Sequence, residues 1–191
     1  MQKQIKKPIP VNEEIMLDPK RYIVSKTDQA GVITYANDYF TEICRYTHDE
    51  LIGSPHNIVR HPDMPKIAFK LMWETIKRGE TFRAVVKNLA KDGRYYWVLT
   101  DFESRRDPQT EQIVQYTAFR KAAPRKAIEI MAPIYKKLVE IEKTGGMEAS
   151  EQFLNNFLAS KNTNYKDFIN KTISSNTILE LFFAAMKKIF G

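Results

Sequence analysis

Six side chains in the middle of the chain have the types and spacing of a binding site: His56, Arg60, His61, Asp63, Trp73 and Asn88. Four of them fall in His56–Pro65, reading HNIVRHPDMP, which holds two of the three histidines and two of the nine prolines in ten residues. Two prolines among charged residues are not a helix or strand signal; they mark a stiff loop whose polar side chains keep fixed directions. Such a loop feeding an apolar helix builds one wall of a binding pocket. The chain shows no nucleophile–base arrangement, no paired carboxylates in one loop, no phosphate-cradling glycine loop and no metal cluster, so an enzyme is the least expected reading.

The elements that would position these residues can be read from periodicity. Tyr22–Thr27 and Val32–Ala36 are short strand signals separated by the turn Asp28–Gly31. Asn37 or Asp38 can cap a short helix, Tyr39–Cys44, and Thr47 with Glu50 forms a capping box for a second that closes at Gly53. Lys66–Arg78 is a clear helix with Pro65 at its first position and Gly79 past its end. Its charged residues Lys66, Lys70, Glu74, Lys77 and Arg78 form one stripe. Ile67, Ala68, Phe69, Leu71, Met72, Trp73 and Ile76 cover the rest, so it should be buried on more than one side.

A hairpin follows, Thr81–Leu89 and Arg94–Ser104 joined at Lys91-Asp92-Gly93. On its first strand Phe82, Ala84, Val86 and Asn88 share a face, which puts an amide at the end of an apolar, core-facing row. A buried amide needs hydrogen-bond partners, and a ligand's polar edge can supply them. On the second strand Tyr96, Val98, Thr100 and Phe102 form one row, with Trp97 and Leu99 in the other as structural residues beneath terminal helices. Ile113–Arg120 completes a five-stranded antiparallel sheet in an α+β fold.

The termini are different in kind. Residues 1–17 read as a polar lead-in with a short amphipathic piece at Glu13–Leu17. From Pro124 the pattern is helical: a stripe of Ile128, Met131, Tyr135, Leu138 and Val139 broken at Gly145-Gly146, then segments around Phe153–Leu158, Tyr165–Ile173 and Ile178–Phe190, the last capped by Thr177. Short amphipathic helices are not stable singly, so they form a bundle, cover the sheet or dock on a partner. The resulting division is an N-terminal cap at 1–17, a sensor domain at 18–123 and a helical region at 124–191.

Composition narrows the function classes. An apolar fraction of 43% supports a real core. The formal charge of +7 is spread along the chain without a basic run interleaved with aromatics, which argues against nucleic acid as a partner. The single cysteine excludes an internal disulfide and favours a reducing compartment. The longest apolar run, Leu181–Met186, is far short of a membrane span, and no secretory signal opens the chain, so the expected location is cytoplasmic.

Together ITYANDYF, YTHDELIGSPHNIVRHPDMP, Trp73, VKNLAKDG and YYWV resemble the PAS domain of bacterial aerotaxis receptors, from about Lys20 to Lys121. The likeness extends weakly into APIYKKLVEIEKTGG, which resembles the linker helix after that domain. The resemblance implies a PAS fold that binds FAD non-covalently and senses redox state or oxygen supply. It implies Arg60, His61 and Asp63 as residues needed for the flavin, Trp73 as a ring neighbour, and Asn88 at the polar edge of the isoalloxazine. Beside that implication each keeps a plainer reading: Arg60 as a surface cation, Asp63 as a helix-start residue, His61 and His56 as loop stabilisers, and Trp73 as core.

The chain departs from the single-chain receptors in lacking a membrane span and a long coiled-coil signalling region. It resembles a split form: a separate sensor, expected to be a homodimer, that relays its state to a membrane-bound chemotaxis receptor. Where light-sensing flavin PAS proteins carry a reactive cysteine this chain has His56, while Cys44 sits on an earlier helix. A cysteinyl-flavin photocycle is therefore not expected. Two alternatives keep the fold: haem bound through His56 or His61, giving a gas sensor, and a cofactor-free PAS module whose pocket is filled by side chains.

Overall fold

Alternating strands become one sheet because every strand buries its inward row. In the computed structural model, which describes residues 7–174, the strands are β1 (Ile23–Thr27), β2 (Ile33–Ala36), β3 (Phe82–Leu89), β4 (Tyr95–Arg106) and β5 (Ile113–Ala122). They pair antiparallel throughout in the order β2-β1-β5-β4-β3. The register sets Asn88 opposite Tyr96, Val86 opposite Val98, Thr100 opposite Arg120 and Ser25 opposite Ala118. One inner face therefore carries all of them, as alternation anticipates for the hairpin.

Three helices cross that inner side: α1 (Asp38–Cys44), α2 (His48–Leu51) and α3 (Lys66–Lys77). Asn37 caps α1, and Thr47 with Glu50 makes the reciprocal capping box on α2. Pro65 is the N-cap of α3 rather than its first helical residue: its extended backbone (ψ 148°) comes from the stiff loop before it. Ile67, Ala68, Met72 and Ile76 of α3 are buried, while Phe69, Leu71 and Trp73 are half-buried.

The short amphipathic piece Glu13–Leu17 joins the sheet through a backbone bridge between Glu14 and Tyr95. β5 ends at Ala122 opposite Val98, so the near end of β4 has free backbone groups on that side. The N-terminal segment takes them: Ile15 N–H donates to Tyr95 O at 2.7 Å, Tyr95 N–H to Glu13 O at 3.0 Å, and Val11 N–H to Gly93 O at 2.8 Å. The break expected after Pro124 is present: within α4 (Arg125–Ser160) Gly146 (φ 75°) is non-helical and a second helical run follows it, as the Gly145-Gly146 interruption anticipates. Tyr135 of α4 donates its hydroxyl to Val85 O at 2.8 Å on the edge strand β3, and α5 (Tyr165–Ser174) stacks Tyr165 on Phe82. The expected last helix, Ile178–Phe190 with Thr177, lies outside the described residues. No helix among the described residues is long and apolar enough to cross a membrane.

Candidate functional site

A slot of about 320 Å³ opens between α3 and the inner face of the sheet, within the usual size range of small-molecule sites. One wall is the α3 row Phe69, Met72, Trp73 and Ile76, and the facing wall is Val86, Phe102, Tyr116 and Ala118 from the sheet. The rim reaches the surface at Ala30 and Asn57. Trp73 stands edge-on to Tyr116 with ring centroids 5.3 Å apart. The β1–β2 turn passes close over its indole: a Cβ on Gly31 (φ +79°) would lie 3.2 Å from the ring. Only glycine takes that conformation and leaves that space.

The polar end of the slot holds Asn88, Arg60, His56, Ser25 and Arg120. Asn88 is 5% exposed, and a backbone bridge pairs it with Arg60 at the end of the proline loop. The Arg60 guanidinium donates to Met64 O at 2.9 Å and stacks over Phe69, 4.5 Å from the ring centroid. Arg120, 2% exposed, donates to Ser25 Oγ at 3.0 Å and to His56 Nε2 at 2.8 Å. Burial lowers its pKa to about 10, so it remains a cation at neutral pH. Both partners are neutral and use only part of its donor set, and no carboxylate among the described residues pairs with it. A buried cation without a counter-charge is costly unless a ligand supplies acceptor oxygens or negative charge.

His56 cannot share that charge. It accepts from Arg120, and burial first, then the adjacent guanidinium, bring its pKa from 6.5 to about 3. Burial lowers the His61 pKa as well, reinforced by Lys87 and opposed by Asp63. Both imidazoles are held neutral in the fold but accept protons once unfolded. The unfolded chain thus binds more protons below pH 6.5, and stability is lost as pH falls from there toward the folded values. One such histidine accounts for at most about 1.4 kcal/mol per pH unit. Thermal unfolding at pH 7.5, 6 and 5 should show a falling midpoint, with a shallower fall for His56→Gln; identical slopes would sink this assignment.

The structure divides the expected site. His56, Arg60, Trp73 and Asn88 all line the slot. His61 and Asp63 do not, and they hold the loop instead. His61, 3% exposed, accepts from Asp63 N–H at 3.1 Å through Nδ1 and packs edge-on to Tyr95. The Asp63 carboxylate receives Lys87 Nζ at 2.7 Å, and Met64 Sδ receives Lys87 N–H. These contacts tie the loop to the residue preceding Asn88, so they position Arg60 and Asn88 beside each other. Sequence reading passed over Arg120 and Ser25. A signal for Arg120 exists: Tyr116, Ala118 and Arg120 alternate, and the third member sets a charge in a core-facing row.

Cys44 is not among the slot residues, and burial pushes its thiol up to about 12, which leaves it unreactive. Haem finds no free imidazole here. His56 Nε2 already faces Arg120, His61 lies off the slot, and the remaining His48 pairs with Asp38 at an exposed helix start. An open slot also speaks against a pocket filled by its own side chains.

Comparison with known proteins places this geometry. Residues 33–119 match the family model described as the PAS fold. The aerotaxis receptor of Escherichia coli K12 is 43% identical over 118 residues, 61% of this chain and 22% of the receptor. The biofilm dispersion protein of Pseudomonas aeruginosa is 26% identical over 141 residues, 70% of this chain and 33% of that protein. A solved light-oxygen-voltage domain, from work with a flavin analogue, superposes with a TM-score of 0.50 at 22% identity, covering 63% of this chain and 87% of that one, which shows the fold. The chain spans from about an eighth to a third of the length of the curated relatives it matches.

Proposed function

We propose, from the PAS fold that this chain carries, that it is a redox sensor holding FAD in the slot and passing its state to a membrane-bound chemotaxis receptor. The observation that supports this most is the pairing of a largely apolar slot with polar residues that include the uncompensated Arg120. Those residues fit a flavin. Phe69, Met72, Trp73 and Ile76 would enclose the ring from α3, with Val86, Phe102 and Ala118 beneath it. Asn88 and Arg120 would meet its polar edge, and Arg60 stands where the loop can reach carbonyl or phosphate oxygens. Bound flavin supplies reversible one- and two-electron uptake. The chain's own part is to bind it and answer it: the Asn88 amide can present either oxygen or NH2, and Arg120 stabilises negative charge at that end.

The split arrangement, the homodimer and the division into cap (1–17), sensor (18–123) and helical region (124–191) belong to the same proposal. His61 and Asp63 enter it as residues that keep the loop in place. The test is an absorption spectrum of the purified protein, with the chromophore released by mild heat and identified. Two flavin bands and released FAD are the expected result. A Soret band, or a protein that stays colourless after incubation with FAD, would overturn the reading.

A further inference from the structure

We infer that Glu142 is a positioning residue for the slot: reaching across from α4, its carboxylate holds the N-terminus of α3, so slot contents and the packing of the C-terminal helices depend on each other. The inference rests on the reading of the slot as a FAD site. α3 starts without a cap of its own. Pro65 at its N-cap has no side chain to accept a hydrogen bond, and no acidic residue occupies the first turn. The first N–H groups of a helix have no intrahelical partner and stand at the positive end of its dipole. Both oxygens of Glu142 supply what is missing: Oε2 accepts from Lys66 N–H at 2.8 Å and Oε1 from Ile67 N–H at 2.9 Å. A bidentate cap from a residue more than 70 positions away is not local helix chemistry, because it forms only when α4 is docked.

The surroundings tie this cap to both the slot and the break in α4. Ser150, beyond Gly146, donates to Glu142 Oε1 at 3.4 Å, and Glu151 pairs with Lys70 of α3 at 2.5 Å. α3 is therefore gripped from both sides of the one non-helical residue in α4. Its slot-facing residues Phe69, Met72, Trp73 and Ile76 begin within one turn of the capped amides. The Glu142 charge is also felt by the Arg60 guanidinium at the slot's polar end. A ligand that shifts α3 must therefore move the cap or break it, and α4 bends most readily at Gly146. Coupling of this kind is reciprocal: a change at α4 must alter the slot's affinity by the same factor.

Hydrogen exchange on the full chain, with and without FAD, tests this in wild type, Glu142→Ala, Glu142→Gln and the control Glu140→Gln, which makes the same charge change at an exposed site on the same helix. Without FAD, Glu142→Ala should speed exchange at residues 66–68 by about fivefold, the size expected for a lost cap, and Glu140→Gln should not. Adding FAD should change exchange across residues 135–160 in wild type. In Glu142→Gln, which keeps the shape and one acceptor, that change should fall by at least about half while FAD still binds, with affinity weakened about threefold to tenfold. An unchanged α3 start in Glu142→Ala would overturn the proposal, as would an undiminished FAD effect in Glu142→Gln. Failure of the wild type to bind FAD would instead overturn the reading of the slot, and the coupling with it.

Discussion

Phe40→Ala is expected to lower the unfolding free energy by about 3–5 kcal/mol, the range for deleting a fully enclosed aromatic ring. Phe40 is 0% exposed on α1, yet it is more than filler. Its ring stacks on His56 with centroids 6.0 Å apart, and the Arg120 guanidinium lies 5.5 Å from its centroid. The ring is thus the apolar backing of the slot's charged end. Deleting it leaves a void beside a buried cation, and water entering there would relieve Arg120 at the expense of the core. Denaturant unfolding of the ligand-free protein measures the loss. A change below about 1 kcal/mol would mean that α1 does not pack here as described.

Arg120→Met should behave in the opposite sense in the two states. Without ligand the substitution removes a buried, uncompensated cation, so stability should stay level or rise. Ser25 Oγ and His56 Nε2, 2.9 Å apart, still satisfy each other. With FAD present the variant should bind about 10-fold to 100-fold more weakly, because hydrogen bonds from a charged donor contribute about 1.5–3 kcal/mol. Thermal midpoints with and without added FAD, together with a fluorescence titration, separate the two effects. Loss of stability in the ligand-free variant would show that Arg120 serves the fold. Undiminished affinity would remove it from the site.

The sheet and its inward rows were legible because strand alternation is a local property with a fixed period. Once Asn88 shared a row with Val86 and Ala84, no tertiary rearrangement short of a register slip could turn it outward. The same holds for the caps at Asn37 and Thr47, whose hydrogen bonds close within a few residues. The proline loop also announced itself, although not all of its polar side chains line the slot. His61 and Asp63 face Tyr95 and Lys87 rather than the slot. Their direction follows from where β3 and β4 run, which no loop sequence encodes.

By itself, then, the sequence determined the α+β order of elements, which strand faces are buried, and the position of the stiff loop before an apolar helix. The tertiary structure alone decided the rest. It brought Arg120 of the last strand beside Ser25 of the first and His56 of the loop, laid the N-terminal segment along β4, and set Glu142 on the bare start of α3. The physical reason is common to all three. Each contact satisfies a donor or acceptor left over by local structure, and its partner is whichever group the packing of distant elements delivers.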